Sequence, residues 1–209
     1  MTGLCTTNPL DLLSPLRFDL CAKYFYAKYR RTNSDFPLEL YAHHLKVWNN
    51  YSEYNNPNKQ DLESFVTEFN KILISIEEEG FNPDISYLPT LEGQLLNGAH
   101  RTAASILYQK PVYCKESPIT EGQLDCSHAF LRDRQVNVPG GLQREYADTM
   151  ALQYAKLKKN TFVVTLFPSA FGHEGSVERV LRNYSTIVYN SAIQLSDYGP
   201  FNYIRMLYE

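Results

Sequence analysis

The segment with the clearest chemistry runs from Asn97 to Arg101, where an Asn-Gly turn leads into a histidine and an arginine. Gly98 lets the backbone approach a ligand closely, and the amides after it would lie unpaired at the N-terminus of a helix. Such a terminus carries a partial positive charge and binds anions such as phosphate. Arg101 can donate two hydrogen bonds to phosphate oxygens, and His100 can add a third donor. An ordinary surface turn is the alternative interpretation.

Two elements must position this segment. The run 94–96 predicts a strand before it, and the alanine-rich run 99–108 predicts a helix after it. A short strand is predicted at 111–114, and another at 84–88, before a turn at 89–93. Strands that alternate with a helix in this order predict an α/β unit.

The rest of the chain predicts helices on both sides of this unit. The helix that stops at Gly80 has the clearest apolar stripe, with Asn58 or a neighbour as its N-cap. Residues 116–142 predict a loop that could cover the site. Other helices are predicted at 16–30, 38–48 and 142–158, and the end of the chain predicts strands at 161–167, 186–189 and 192–195 with helices at 177–183 and 201–208.

The strand, the turn at 97–101, the small-residue helix and the following strand together resemble the phosphate-binding motif of the ParB/sulfiredoxin superfamily, over residues 84–115. That superfamily includes partition nucleotidases, sulfiredoxins and free-serine kinases. The resemblance implies a nucleotide-binding core at 1–117, a mixed sheet with flanking helices, and a β-α-β-β-α extension at 118–209 packed on it. The expected fold class is α/β, with α+β as the alternative. Because the last predicted helix lacks a stop signal, we expect the chain to continue into further domains.

Individual residues separate the activities of this superfamily. Ala99 stands where sulfiredoxins have a cysteine, so the resemblance does not extend to sulfinic acid reduction. Partition nucleotidases have an acidic and basic run after the glycine and helix-turn-helix elements downstream, which are not matched here. The kinases have Asp-Gly-His-His-Arg in place of Asn97-Gly98-Ala99-His100-Arg101, which is the closest pattern. Asn97 replaces the aspartate, and an amide handles neither metal nor proton well.

The kinase resemblance implies ATP or another nucleoside triphosphate, with Mg²⁺ bridging its phosphates. His100 would donate to an oxygen of the γ-phosphoryl group. The expected cofactor-binding residues are Asn97, Gly98, Ala99, His100, Arg101 and Thr102.

A carboxylate must also accept the proton of the acceptor hydroxyl. Glu53 is favoured because it lies in a long polar loop near Lys59, Asp19 comes next, and Asp84 and Glu92 are further candidates. The expected substrate-binding residues are Arg17, Lys23, His44 and Lys59, although Arg17, Asp19 and Lys23 could equally form a salt-bridged solvent face. His43 and His44 are adjacent and point in different directions, so no metal pair is expected.

Composition narrows the function further. A net charge of −3 and a pI near 6.0 provide no basic field for nucleic acid. The four cysteines lack metal-ligand spacing and are expected to be free thiols. Because neither a signal peptide nor a membrane span is recognised, we expect a cytoplasmic protein.

These observations predict a nucleotide-dependent phosphotransferase that acts on a small hydroxylated acceptor, with a sugar or glycan as one candidate. One alternative is a non-catalytic nucleotide- or glycan-binding module of a multidomain polysaccharide-assembly enzyme. The other is a ParB-like DNA-binding protein or nuclease.

Overall fold

A computed structural model describes residues 3–53, 59–117, 124–134, 140–159, 161 and 174–183 of the chain. Over these residues the fold combines seven α-helices with one four-stranded mixed sheet, so the predicted α/β class is confirmed. The strands are β1 (Cys5–Thr7), β2 (Leu88–Leu91), β3 (Gln94–Leu95) and β4 (Val112–Glu116). The helices are α1 (Asp19–Tyr29), α2 (Phe36–Asn49), α3 (Leu62–Glu78), α4 (Ala99–Tyr108), α5 (His128–Asp133), α6 (Gly140–Leu157) and α7 (Glu174–Leu181).

The sheet has the strand order β1-β4-β2-β3. Strand β4 runs parallel to β2, with Leu88 opposite Cys114, and antiparallel to β1, with Cys5 opposite Cys114. Strands β2 and β3 form an antiparallel hairpin. The connection from β2 to its parallel neighbour β4 therefore passes through β3 and α4, which places the N-terminus of α4 directly after the edge strand β3.

The strand predicted at 84–88 is wrong in position, because residues 83–85 form a turn and β2 begins at Leu88. Pro89 suggested a turn, yet it lies inside β2. Its carbonyl accepts a hydrogen bond from the amide of Leu96 at 2.9 Å. The N–H and C=O of a strand residue point to the same side, so an N–H at position 89 would point towards β3, as the carbonyl does. Because proline lacks this N–H, β2 loses no hydrogen bond to β4.

Helix α4 lies at the centre of the fold, packed against α1 and α3. Its buried face consists of small side chains, namely Thr102, Ala103, Ala104 and Ser105, together with Ile106. Small side chains let helices approach closely, so this face brings the first turn of α4 near polar side chains of α1. The helix begins and ends where the sequence predicts.

Helix α3 covers the other side of α4. Its N-cap is Asp61, in a reciprocal capping box with Ser64. The sequence predicts Asn58 or a neighbour as the cap, and Asn58 itself lies outside the described residues. Side chains of α6 belong to the same hydrophobic core as those of α1, α2 and α3. The shared core includes Phe18, Leu40, Tyr41, Phe65, Phe69, Leu88, Tyr146, Met150 and Tyr154.

Further differences concern the second half of the chain. The loop predicted at 116–142 contains α5 and the start of α6, since Ser127 caps α5 by accepting the amide hydrogen of Phe130. The helix predicted at 177–183 is present as α7. The strands predicted at 161–167, 186–189 and 192–195 and the helix predicted at 201–208 lie outside the described residues, apart from Thr161. No helix in the described part of the chain could span a membrane.

Candidate functional site

The segment 97–102 forms the turn and first helical turn that the sequence predicts. Gly98 is the N-cap of α4 and has a φ of +92°, a conformation that favours glycine. A Cβ at Gly98 would lie only 2.3 Å from Cδ2 of Leu88 and 3.0 Å from Nη2 of Arg101. The amide of Gly98 donates to the side chain of Asn97, and the hydroxyl of buried Thr102 donates to the carbonyl of Gly98. No N-cap side chain accepts a hydrogen bond from the N-terminal amides of this helix.

Arg101 lies beside Gly98 but is already bound to the protein. Its Nη1 donates to Oγ of Ser86 at 2.6 Å and to the carbonyl of Tyr87 at 3.4 Å. Its guanidinium lies 5.8 Å from the ring centre of Phe81. Arg101 therefore holds the loop before β2 against the start of α4, and its remaining donors stay next to Gly98.

Four buried side chains form a polar cluster beneath this segment: Arg17, Asp19, Lys23 and His44. Arg17 donates to both carboxylate oxygens of Asp19, from Nε and Nη2, at 2.9 Å each. Its Nη1 donates to the carbonyl of Leu95 in β3 at 2.7 Å. Nζ of Lys23 contacts Oδ2 of Asp19 and Nε2 of His44, each at 2.9 Å. The side chains of α1 and α2 are thus joined to the strand that leads into Gly98.

The polar cluster contradicts the solvent-face interpretation of Arg17, Asp19 and Lys23, because each of these residues is at most 4% exposed. Burial alone would raise the pKa of Asp19, but the charges of Arg17 and Lys23 hold it well below its usual range. Burial, together with the charge of Lys23, lowers the pKa of His44 well below 6.5. Two cations, one carboxylate and one neutral imidazole leave this polar cluster with a single net positive charge.

His100 contacts three aromatic side chains of α2 and α3. Its Nε2 lies 2.7 Å from the hydroxyl of Tyr41, which is fully buried. Its ring lies 4.7 Å from that of Phe69 and 6.3 Å from that of Phe65, measured between centroids. Burial lowers the pKa of His100 well below 6.5, and the positive charges of Lys23 and Lys59 lower it further. The charges of Lys23 and Lys59 therefore act on the first turn of α4, and Asp19 acts on it in the opposite direction.

Glu53 and Lys59 form the outer part of this site. Their side chains make an ion pair of 2.8 Å, with 13% of Lys59 and 34% of Glu53 exposed, and the amide of Glu53 donates to the carbonyl of Lys59 at 3.1 Å. The ammonium of Lys59 lies 5.4 Å from the ring centre of Phe65, and the charge of Glu53 raises the pKa of Tyr41, after burial and Tyr26. Glu53 and Lys59, the described residues on either side of 54–58, thus both lie near Tyr41 and His100.

The structure brings most of the predicted site residues into one region. Lys23 and Lys59 both act on His100, while Arg17 and His44 reach it through the polar cluster. The two other candidates for the catalytic base, Asp84 and Glu92, are exposed, unlike the buried Asp19. The backbone amide of Glu92 donates to the carboxylate of Glu116.

Sequence reasoning assigned no functional role to Tyr41. Tyr41 and His44 are three residues apart, so they lie on one side of α2. This spacing is the sequence signal that could have indicated a role for Tyr41 in the site. Sequence reasoning also gave no functional role to Phe65 and Phe69, although both rings lie near that of His100.

The described residues contain no group of three His, Cys, Asp or Glu side chains that could hold a metal ion. Comparison of the chain with protein-family models, with curated proteins and with solved structures finds no match.

Proposed function

We propose that this chain is a nucleotide-dependent phosphotransferase, a kinase that acts on a small hydroxylated acceptor such as a sugar or glycan. The observation that carries the proposal is the placement of Lys23 and Lys59 where their charges act on His100, in the first turn of a helix that begins at a glycine. A helix N-terminus attracts anions weakly by itself, whereas added cations make it suitable for a polyphosphate.

The charge balance of the polar cluster supports an anionic ligand. Arg17 and Lys23 share one carboxylate, Asp19, so these three side chains retain one positive charge. An uncompensated charge in a protein interior costs several kcal/mol, and a nearby anion reduces that cost. In the proposal, the β- and γ-phosphates of the nucleotide supply the missing negative charge at Gly98.

The residues then have distinct roles in transfer. Backbone amides at the start of α4 and the ring of His100 donate to phosphate oxygens, and Lys59 neutralises the developing charge. Glu53 accepts the proton of the acceptor hydroxyl while the acceptor oxygen bonds to the γ-phosphorus. The bond from that phosphorus to the β–γ bridging oxygen breaks, and the nucleoside diphosphate leaves. Glu53 suits the role of base better than Asp19, because Arg17 and Lys23 occupy both oxygens of Asp19.

The side chains present fit a metal carried by the nucleotide rather than one held by a protein cage. Mg²⁺ keeps several waters and is commonly bound through one or two carboxylates and the substrate phosphates. Glu53, half-exposed beside Lys59, is the carboxylate of the site that could reach such an ion. When bound, Mg²⁺ would supply charge neutralisation of the phosphates.

Calorimetric titration with ATP and with CTP, each with Mg²⁺, tests the proposal. We expect Lys59→Met to weaken binding roughly tenfold or more, the value of one charge-assisted hydrogen bond. Arg101→Ala should weaken it too, because that side chain holds the loop beside Gly98. Lys156→Ala is the matched control, since Lys156 is an exposed lysine at the end of α6. Absence of binding in the wild type, or equal binding in all variants, would refute the proposal.

A non-catalytic nucleotide- or glycan-binding module is the second candidate. The two favoured candidate bases are already held in ion pairs, Asp19 with Arg17 and Lys23, and Glu53 with Lys59. Because a paired carboxylate is a weaker base, these ion pairs favour a binding module. Transfer of labelled phosphate from ATP across a panel of sugars and glycans separates the two functions. A kinase transfers phosphate to an acceptor in the wild type and loses this transfer in Glu53→Gln. A binding module shows nucleotide or glycan binding but transfers phosphate to no acceptor of the panel.

A further inference from the structure

We infer that the hydroxyl of Tyr41 is a positioning group that holds His100 as a neutral imidazole with its ring proton on Nδ1. The role of this proton in phosphate binding rests on the proposed function, whereas the tautomer itself follows from the contacts of Tyr41. Sequence reasoning gave Tyr41 no functional role, and the phosphotransfer mechanism above does not use it.

The geometry defines one hydrogen bond at the far end of the imidazole. Nε2 of His100 and Oη of Tyr41 are 2.7 Å apart, and the two rings meet edge to face with an interplanar angle of 88°. Tyr41 is fully buried, and its ring stacks on that of Tyr26 at 4.8 Å. The ring of Phe69 packs against both Tyr41 and His100. These contacts fix both partners of the hydrogen bond.

The protonation states of both groups decide which one donates. Burial raises the pKa of Tyr41 well above 10.0, so its hydroxyl keeps its proton. Burial and the positive charges of Lys23 and Lys59 lower the pKa of His100 well below 6.5, so its ring is neutral. A phenol is a stronger donor than a neutral imidazole N–H, and an imidazole nitrogen is a stronger acceptor than a phenol oxygen. Tyr41 therefore donates to Nε2, and the ring proton of His100 lies on Nδ1.

The consequence is a donor on the ring nitrogen nearest the backbone. Nδ1 is bonded directly to Cγ, so it is one bond nearer than Nε2 to the backbone of His100 in the first turn of α4. Tyr41 occupies the distant nitrogen and leaves Nδ1–H to join those amides in binding an anion. It also keeps His100 from accepting a proton, which leaves Glu53 as the base.

His44 provides an internal control, because a different neighbour determines which of its ring nitrogens carries the proton. The ammonium of Lys23 can only donate, so Nε2 of His44 must accept and its proton must also lie on Nδ1. That Nδ1 is buried and has no hydrogen-bond partner. Because Lys23 rather than Tyr41 sets this tautomer, a change at Tyr41 should alter the ring of His100 and leave that of His44 unchanged.

Long-range proton–nitrogen correlation spectra of protein labelled with ¹⁵N-histidine test the inference. The rings are assigned with the variants His100→Gln and His44→Gln. We expect a protonated Nδ1 and an unprotonated Nε2 for His100 in the wild type. Tyr41→Phe should shift the proton of His100 towards Nε2, while Tyr26→Phe, which removes a hydroxyl bound to Asn70, should not. A wild-type ring protonated on Nε2, or no change in Tyr41→Phe, would overturn the inference. If Tyr41→Phe does not fold, the wild-type spectrum decides alone.

A second measurement connects the tautomer to the ligand. We expect Tyr41→Phe to bind Mg-ATP roughly threefold to tenfold more weakly, the factor for one neutral hydrogen bond, while Tyr26→Phe binds as the wild type does. Unchanged affinity in Tyr41→Phe would overturn the positioning role and leave the proposed function intact. A wild type that binds no nucleotide would instead overturn the proposed function, and the spectra would still decide the tautomer.

Discussion

Two histidines make the stability of this protein dependent on pH near neutrality. His44 and His100 have pKa values well below 6.5 in the folded state, because burial and neighbouring cations disfavour their protonated forms. In the unfolded chain both return to about 6.5. Below that pH the unfolded state binds more protons than the folded state, so stability is full above 6.5 and is lost as the pH falls towards the folded pKa values.

The magnitude follows from this linkage. Between about pH 7.5 and about pH 5.5, each histidine that protonates only when unfolded removes about 1.4 kcal/mol from the free energy of unfolding. His44 and His100 together remove about 2.7 kcal/mol, a large fraction of the stability of an ordinary domain. Burial also lowers the pKa of His43, so this residue acts in the same direction.

Urea unfolding at the two pH values measures this loss, with fluorescence of the single tryptophan, Trp48, as the probe. The ring of Trp48 packs 5.4 Å from that of Phe130, so unfolding changes its surroundings. We expect His44→Gln and His100→Gln each to remove about half of the pH effect, and the double variant to remove most of it. For each variant, the free energy of unfolding at one pH is compared with that at the other, so the effect of the substitution that does not depend on pH cancels. Equal stability of the wild type at both pH values would refute the reasoning, as would a full effect in both single variants.

Three further predictions concern packing and charge. Gly98→Ala should lower the free energy of unfolding by about 2–4 kcal/mol, from strain at positive φ and the contact with Leu88, whereas Gly93→Ala, with open space around it, should cost about 1 kcal/mol. Ellman's reagent should react rapidly with Cys5 alone in the native protein and with all four cysteines after denaturation, because the other three are buried. Asp19→Asn should lower stability by about 3–5 kcal/mol in urea unfolding. The same variant should bind Mg-ATP more tightly in calorimetry, since it adds positive charge beside the site.

The sequence was sufficient to predict elements whose signals are local. Helix α4 was predicted at 99–108, because Gly98 marks its start and small residues suit its interior. The apolar stripe of α3 likewise defined a helix on its own. Strand β2 was misplaced, because Pro89 weakens any strand signal and its position becomes acceptable only beside the short strand β3.

The arrangement of the site could not be predicted from sequence, because burial decides it. Asp19 and Lys23 are four residues apart on α1, a spacing that is common for ion pairs on exposed helix faces. Only the packing of α4 on α1 places them in the interior, where Arg17 also reaches the carbonyl of Leu95. The hydrogen bond between Tyr41 and His100 joins residues 59 positions apart, and no local pattern encodes it.

The charge imbalance of the polar cluster argues for a ligand rather than for a purely structural core. Buried ion pairs rarely stabilise a fold more than well-packed apolar side chains of similar volume do. A core selected for stability alone would therefore have apolar side chains in place of Arg17, Asp19 and Lys23. A second buried carboxylate would at least restore neutrality, but it would repel a phosphate at Gly98. In the proposed function, the two cations around one carboxylate provide the positive charge for an anion bound at the start of α4.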